Sequence, residues 1–189
     1  GTNEINRLIV PGTFMKKAMK GELPLLEQAQ ALQQEILAMT PAEISDEPLA
    51  QEKHLVKMAK KIALLTAGTA ALKYGEKLEQ EQEVLVNIAN IANQLFAIES
   101  AVLRTQKAID RDGVDKAAQK LLYTEIFSQE AFETILAEAR DTLVNISSGD
   151  NQRMMLSALR KFGRYAPKKT IRLKRQAAEA LIAAEKFIV

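Results

Sequence analysis

The clearest pattern along the chain is a row of mostly apolar residues that recurs at alternating spacings of four and three positions. The row consists of Val84, Ile88, Ile91, Leu95, Ile98, Val102, Thr105 and Ile109. This spacing places all of its members on one side of an α-helix. The pattern therefore predicts a long helix with a continuous apolar seam. The helix is expected to end at Asp110–Gly113, with Gly113 in a left-handed conformation.

Helical periodicity also covers most of the remaining sequence. Further helices are predicted at Asn3–Lys20, Leu25–Met39, Pro48–Leu78, Asp115–Ser147, Met154–Tyr165 and Thr170–Lys186. Pro11 is expected to kink or divide the first of these, because proline cannot donate a backbone hydrogen bond. Asp46, in the loop Pro41–Glu47, is expected to cap the next long helix, and Thr170 to cap the last one. Gly75 indicates either a local break or the close approach of a neighbouring helix.

The predicted helices carry apolar stripes that should face a common core. We expect Leu72 to belong to the buried stripe of Pro48–Leu78, and Leu121 to that of Asp115–Ser147. No segment shows the sustained alternation of a strand bounded by turn residues. The fold class expected is all-α: an up-down antiparallel helical bundle with long central helices and shorter flanking helices.

Composition agrees with this fold class and excludes several others. Only 8 Gly and 5 Pro occur among the 189 residues, which argues against an all-β sandwich with its many turns. The 26 basic and 24 acidic residues leave a net charge of +2, so bulk charge does not indicate nucleic-acid binding. The absence of Cys excludes disulfides, zinc fingers and a thiol nucleophile, and fits a reducing, cytoplasmic location.

Familiar catalytic and metal-binding patterns are absent from the sequence. His54 is the one histidine, and it lies on a lysine-rich helix without any Glu-x-x-His pair, so no metal site is predicted. Glu79, Glu81 and Glu83 cluster where two helices meet. They could act as an acid–base pair, but a solvated helix end is the favoured interpretation. No P-loop, Gly-x-Ser-x-Gly or Gly-x-Gly-x-x-Gly motif is present.

The strongest local charge asymmetry lies near the end of the sequence. Arg153–Arg175 contains a series of Arg and Lys residues with no Asp or Glu among them. Such a surface could contact anionic lipid, a phosphate group or an acidic partner. The favoured alternative is a solvated face, or one paired with the helix that carries Glu130, Glu133 and Glu138.

The most specific motif stands at the start of the chain. Gly1-Thr2-Asn3-Glu4-Ile5, followed by Arg7 and Leu8, resembles the end of the catalytic motif of acyl-CoA dehydrogenases, Tyr/Phe-Glu-Gly-Thr-Asn-Glu/Asp-Ile-x-Arg. The resemblance implies that the glutamate that abstracts the α-proton of an acyl-CoA would immediately precede Gly1. It implies that Gly1 lies at the substrate and that Thr2, Asn3 and Glu4 contact flavin adenine dinucleotide (FAD). We also expect Thr2 to cap the first helix.

The sequence that follows the motif resembles the helical extension of the very-long-chain type of this family, including a bacterial group. Residues 1–23 would then complete the catalytic motif and its connecting helix, and residues 24–189 would form the C-terminal bundle. The parent protein would dehydrogenate acyl-CoA with FAD. The chain itself would be non-catalytic, would bind no FAD alone, and would contact the catalytic core, a second copy or a membrane surface.

A second hypothesis from a different class remains open. The seam of Val84–Ile109 could instead pair with another chain, in a stand-alone helical adaptor or interaction module. The residue that precedes Gly1 would discriminate between the two hypotheses.

Overall fold

Helices make up the regular structure of the described part of the chain. The computed structural model describes residues 1–24, 27–28, 31–32, 44–186 and 188, apart from the Met19 side chain. The α-helices are α1 (Thr2–Met19), α2 (Ala50–Tyr74), α3 (Gln82–Asp112), α4 (Ala118–Ile146), α5 (Gly149–Phe162) and α6 (Thr170–Ala184), with a 3₁₀ helix at Gly75–Gln80. No strand occurs within these residues, and the predicted all-α class is confirmed. The predicted helix Leu25–Met39 lies largely outside the described residues.

The three longest helices, α2, α3 and α4, form the centre of the molecule, where each packs against the other two. Side-chain pairs show that α3 and α4 run antiparallel: Thr105 meets Thr124 near the connecting turn, while Asn87 meets Asp141 at the far end. α1 packs on α3, α5 packs on α4 and α2, and α6 packs on α4. The long central helices and shorter flanking helices of the predicted bundle are therefore present.

The seam of α3 forms much of the core. Val84, Ile88, Ile91, Ile98, Val102 and Thr105 are buried, while Leu95 and Ile109 are partly buried. From α4 the core receives Phe132, Ile135, Ala139 and Leu143, none of which keeps measurable exposure. Two expectations about burial are wrong: Leu72 is 79% exposed, and in α4 it is Leu122 rather than Leu121 that is buried. Leu72 lies in the last turn of α2, where Ala71 and Tyr74 contact the core instead.

Glycines end two of the long helices. Gly113 follows α3 with φ +86°, as predicted. Gly75 follows α2 with φ +53° and starts the 3₁₀ helix, so of the two alternatives for this glycine the structure shows the local break, and α2 ends before the predicted Leu78. Both backbone conformations are ones that side chains with a Cβ rarely adopt. Because these turns are short, consecutive long helices lie side by side.

Other helix ends differ from the predictions. Leu49 rather than Asp46 caps α2, with φ +65° and a side chain only 2% exposed. Burial of that side chain offsets the strain of its left-handed backbone, a gain that local capping rules do not include. Thr170 is the first residue of α6 rather than its cap, which is Lys169. α4 and α5 begin at Ala118 and Gly149 instead of Asp115 and Met154.

Pro11 does not divide α1, which continues from Thr2 to Met19. The expected division is wrong because Pro11 is buried on the side of α1 that faces the bundle. That burial offsets the hydrogen bond that the proline cannot donate. The uninterrupted helix connects the first turn of the chain to the bundle as one element.

Candidate functional site

The predicted site residues lie together at the start of α1. Gly1 precedes the helix, Thr2, Asn3 and Glu4 are its first three residues, and all four are exposed. The backbone nitrogen of Gly1 donates a hydrogen bond to Glu4 Oε2 at 2.6 Å. The prediction that Thr2 caps the helix is wrong, because Gly1 takes that position and the Glu4 carboxylate folds back onto it, as in one half of a capping box.

The charge of Glu4 suits its position. The hydrogen bond from the backbone nitrogen of Gly1 lowers the pKa of Glu4, assisted by the backbone N–H of Glu4 and, to a smaller extent, by Arg7. The positive end of the helix dipole also favours a carboxylate in the first turn. Glu4 is therefore ionised at neutral pH, and it acts at this site as a hydrogen-bond acceptor.

Polar donors of different kinds meet at this turn. The first N–H groups of an α-helix have no carbonyl partner within the helix, so those of Thr2 and Asn3 are available to a ligand. Beside them lie the exposed hydroxyl of Thr2 and the exposed amide of Asn3. Uncharged donors around a helix N-terminus suit a phosphate or diphosphate group, while the Glu4 carboxylate suits a hydroxyl. This donor set fits the polar part of FAD.

The first turn is held in place through the opposite face of α1. Leu8 and Met15 pack against the bundle core, and Pro11 is buried between them along the same face. Arg7 Nε donates a hydrogen bond to Asn90 Oδ1 in α3 at 2.8 Å. The sequence did not single out Asn90. Its position next to the seam of α3 was visible in the sequence, but amide side chains beside an apolar seam are common and do not indicate a specific contact.

The outer face of α1 carries apolar side chains that the described residues leave uncovered. Ile5 is 60% exposed and Ile9 is 56% exposed. With Thr2 they follow a spacing of three and four residues, which places them on one side of the helix. Two exposed isoleucines adjoining a polar first turn form a surface on which another protein segment could pack.

A partly buried ionic cluster joins the loop between α5 and α6 to α2 and α4. Lys168 Nζ is 2.6 Å from Glu52 Oε1 and 2.8 Å from Glu125 Oε1, and its backbone N–H donates to Gln129 Oε1 at 2.6 Å. Burial lowers the pKa of Lys168, but hydrogen bonds to Glu125 and Glu52 outweigh this and raise it overall. Every group of the cluster has a partner within the chain, so the arrangement is that of a structural clamp.

The basic stretch Arg153–Arg175 is divided among α5, the following loop and α6. Part of it pairs with α4, as the favoured alternative predicted: Lys174 binds Glu130, and the Tyr165 hydroxyl binds Glu133. Burial, and then the hydrogen bond to Glu133, raises the pKa of Tyr165. These contacts attach α6 and its loop to the outside of the bundle.

Among the residues that the structure describes, no set of metal ligands surrounds His54. Burial, followed by repulsion from Lys57, lowers its pKa, while a hydrogen bond with the backbone of Arg164 partly offsets this. Within the described ranges, no three His, Asp or Glu side chains lie close enough together to hold a metal ion. Nor does any helix in those ranges combine the length and apolarity needed to cross a membrane.

Comparisons with known proteins agree with the motif at the start of the chain. The family model described as "Acyl-CoA dehydrogenase, C-terminal domain" matches residues 58–161. A protein of Bacillus subtilis (strain 168) named "Probable acyl-CoA dehydrogenase" is 59% identical over 189 residues, which are 100% of this chain and 32% of that protein. The crystal structure of an acyl-CoA dehydrogenase complexed with FAD from Bacillus anthracis matches 99% of this chain and 32% of that one, with 57% identity and a TM-score of 0.95. The chain thus spans about a third of the length of these relatives.

Proposed function

Since the chain belongs to the acyl-CoA dehydrogenase family, we propose that it serves as the C-terminal helical domain of an FAD-dependent enzyme that oxidises a fatty acyl-CoA between its α and β carbons. The observation that carries this proposal is 59% identity over the whole chain to a probable acyl-CoA dehydrogenase about three times as long. The catalytic core would lie in the same polypeptide. The division of the chain at residues 23 and 24 stays a prediction.

The chain's own contribution to the site is its first turn. Gly1 has no side chain, and a Cβ added to it would lie 4.0 Å from Glu4 Oε2, so a thioester could approach its backbone. Thr2, Asn3 and Glu4 would hold FAD through their hydroxyl, amide, carboxylate and backbone N–H groups. Bound FAD supplies the acceptor for the hydride that leaves the β carbon. The α-proton would go to a glutamate that adjoins Gly1.

The bundle would support that turn without taking part in the reaction. α1 presents Thr2, Ile5 and Ile9 on its outer face, where the catalytic core could cover both isoleucines. The opposite face is already packed against the bundle through Leu8 and Met15. Contacts with a second copy or with a membrane surface, and a cytoplasmic location, stay predictions.

The adaptor hypothesis loses its main support in this structure. It depended on a seam available to another chain, but Val84, Ile91 and Ile98 of that seam are buried within the chain's own core. α2 and α4 occupy the positions that a partner helix would need.

Purification of the isolated chain and of the full-length polypeptide that contains it would test the proposal. The full-length protein should carry about one FAD per subunit and reduce an electron-accepting dye when acyl-CoA is added. The isolated chain should be colourless and inactive. A full-length protein that neither binds FAD nor oxidises any acyl-CoA, or an isolated chain with bound flavin, would contradict the proposal.

A further inference from the structure

A relay of polar side chains connects α1 to the two longest helices of the bundle. Arg7 Nε donates to Asn90 Oδ1 at 2.8 Å, and Asn90 Nδ2 donates to Glu138 Oε1 at 3.1 Å. Arg7 lies in α1, Asn90 in α3 and Glu138 in α4, and both hydrogen bonds are partly buried. The three side chains join elements that are far apart in the sequence.

The side-chain amide of Asn90 has one defined orientation, because its oxygen and its nitrogen bind different groups. Its oxygen accepts from a guanidinium, and its nitrogen donates to a carboxylate. A rotation of the amide by 180° would place its nitrogen against Arg7 and its oxygen against Glu138, so both hydrogen bonds would be lost. Hydrogen bonds to charged partners are also stronger than those between neutral groups. Asn90 therefore transmits a fixed geometry from α4 to Arg7.

The relay constrains the rotation of α1 about its own axis more closely than apolar packing does. Leu8, Pro11 and Met15 hold α1 against the bundle and oppose any rotation large enough to expose them, but apolar contacts have no preferred direction and constrain a small rotation less. The hydrogen bond of Arg7 is directional. Arg7 lies one helical turn beyond Glu4, so a rotation of α1 that breaks this bond would also redirect the polar groups of Thr2–Glu4.

We propose that Arg7, Asn90 and Glu138 form a positioning relay by which the helical bundle fixes the rotation of α1 and thereby aims Thr2–Glu4 at FAD. This inference depends on the proposed function. The three residues act through the first turn and do not themselves contact the cofactor. The bundle thus affects the affinity for FAD without contacting FAD.

Asn87 provides a matched control on the same helix. Its Nδ2 donates to Asp141 Oδ2 at 2.9 Å, so it joins α3 to α4 in the same manner as Asn90, although this contact is more exposed and, among the described side chains, Asn87 has no hydrogen bond to α1. Asn87→Leu and Asn90→Leu each remove one α3–α4 hydrogen bond. Only Asn90→Leu also releases Arg7.

The full-length polypeptide, stripped of flavin and titrated with FAD, is the system for the test. The dissociation constant is followed by flavin fluorescence, and circular dichroism monitors the helical fold. We expect Asn90→Leu to raise the dissociation constant about tenfold, as loss of a hydrogen bond to a charged group would. Asn87→Leu should change it less than about twofold.

A charge-preserving exchange separates positioning from general destabilisation. Asn90→Asp alone places a second carboxylate beside Glu138 and should weaken FAD binding. Adding Glu138→Gln gives a donor in place of the carboxylate, so Arg7 can donate to Asp and Gln can donate to the same Asp. The double variant should therefore restore the affinity to within about threefold of the original protein.

Two results would overturn the relay. One is equal weakening by Asn87→Leu and Asn90→Leu, and the other is a double variant that binds FAD no better than Asn90→Asp. If Asn90→Leu does not fold, the comparison of Asn90→Asp with the double variant decides. Failure of the proposed function is distinguishable, because the unaltered full-length protein would then not bind FAD at all.

Discussion

Lys168 joins the α5–α6 loop to α2 and α4 through both its side chain and its backbone. The ammonium contacts Glu52, whose side chain is 2% exposed, and also Glu125. Removing the lysine would leave a buried carboxylate without its counter-ion, and that cost exceeds the value of the ion pair itself. The sequence places Lys168 in a basic stretch, and nothing local distinguishes it from its neighbours.

Lys168→Met should lower the free energy of unfolding by about 2–3 kcal/mol, somewhat less than for a fully buried pair, because the Lys168 side chain keeps 28% exposure. Lys174→Met removes an ion pair to Glu130 in which both side chains are about half exposed, and should cost less than about 1 kcal/mol. Urea denaturation of the three proteins measures the difference. Equal effects of the two substitutions would contradict the assignment of a buried clamp.

Alkaline pH should loosen the same region. The pKa values of Lys168 and Tyr165 are raised in the folded protein. Their contributions to stability are therefore complete below the unfolded pKa values, near pH 10, and are lost as the pH rises through the folded values. The free energy of unfolding should fall above about pH 9, and Tyr165→Phe should make that fall shallower. Denaturant titrations at successive pH values would show parallel curves if Tyr165 does not contribute.

Gly113 illustrates a backbone requirement that sequence does reveal. Its φ of +86° and ψ of 161° lie in a region that is almost restricted to glycine. An added Cβ would meet no atom within 4 Å, so any cost of a substitution would come from the backbone alone.

Gly113→Ala should therefore destabilise the protein by about 1–3 kcal/mol. Gly12 also has no atom within 4 Å of an added Cβ, but it lies inside α1. Gly12→Ala should stabilise by up to about 1 kcal/mol, because alanine favours helix more than glycine does. Thermal unfolding of both variants tests the pair, and a shift of the same sign in each would refute the backbone explanation.

At the scale of whole helices, the seam of α3 determines how the bundle assembles. Ile98 keeps no exposure within the core, whereas Leu103, five residues later, is 63% exposed. The alternation of four and three residues was sufficient to locate this helix and its buried side, because one periodic face meets two neighbouring helices along most of its length.

Ile98→Ala should cost about 2–5 kcal/mol, since it removes buried methyl groups and leaves a cavity. Leu103→Ala on the same helix should change stability by less than about 0.5 kcal/mol. Chemical denaturation of the two variants measures the cost of removing a buried side chain against that of removing an exposed one on the same helix. A cost at Leu103 comparable to that at Ile98 would mean that the exposed face of α3 is covered in solution.

Helix boundaries were predicted where a local residue decides them and missed where tertiary contacts do. Gly113 ends α3 at the predicted position because glycine tolerates a positive φ, and the break at Gly75 was one of two alternatives for that glycine. Local rules did not predict the cap at Leu49 or the uninterrupted helix at Pro11. Both depend on side-chain burial, and burial depends on residues far away in the sequence. The polar relay through Asn90 escaped prediction for the same reason, since its partners lie 83 and 48 residues away.

At the scale of the molecule, α1 is the element that connects the bundle to the proposed chemistry. One face is anchored on α3, the other presents Thr2, Ile5 and Ile9, and the site residues occupy its first turn. The fold and the family could be anticipated from periodicity and from the motif of Gly1–Arg7. The roles of Gly1, Thr2, Asn3 and Glu4 stay proposals that concern a longer polypeptide.

A crystal structure of the full-length polypeptide with FAD bound is the most direct measurement of the central claim. The account predicts polar atoms of Thr2, Asn3 or Glu4 within about 3.2 Å of the cofactor, with Ile5 and Ile9 buried against the catalytic core. FAD bound away from the start of α1, with that turn facing solvent, would contradict it.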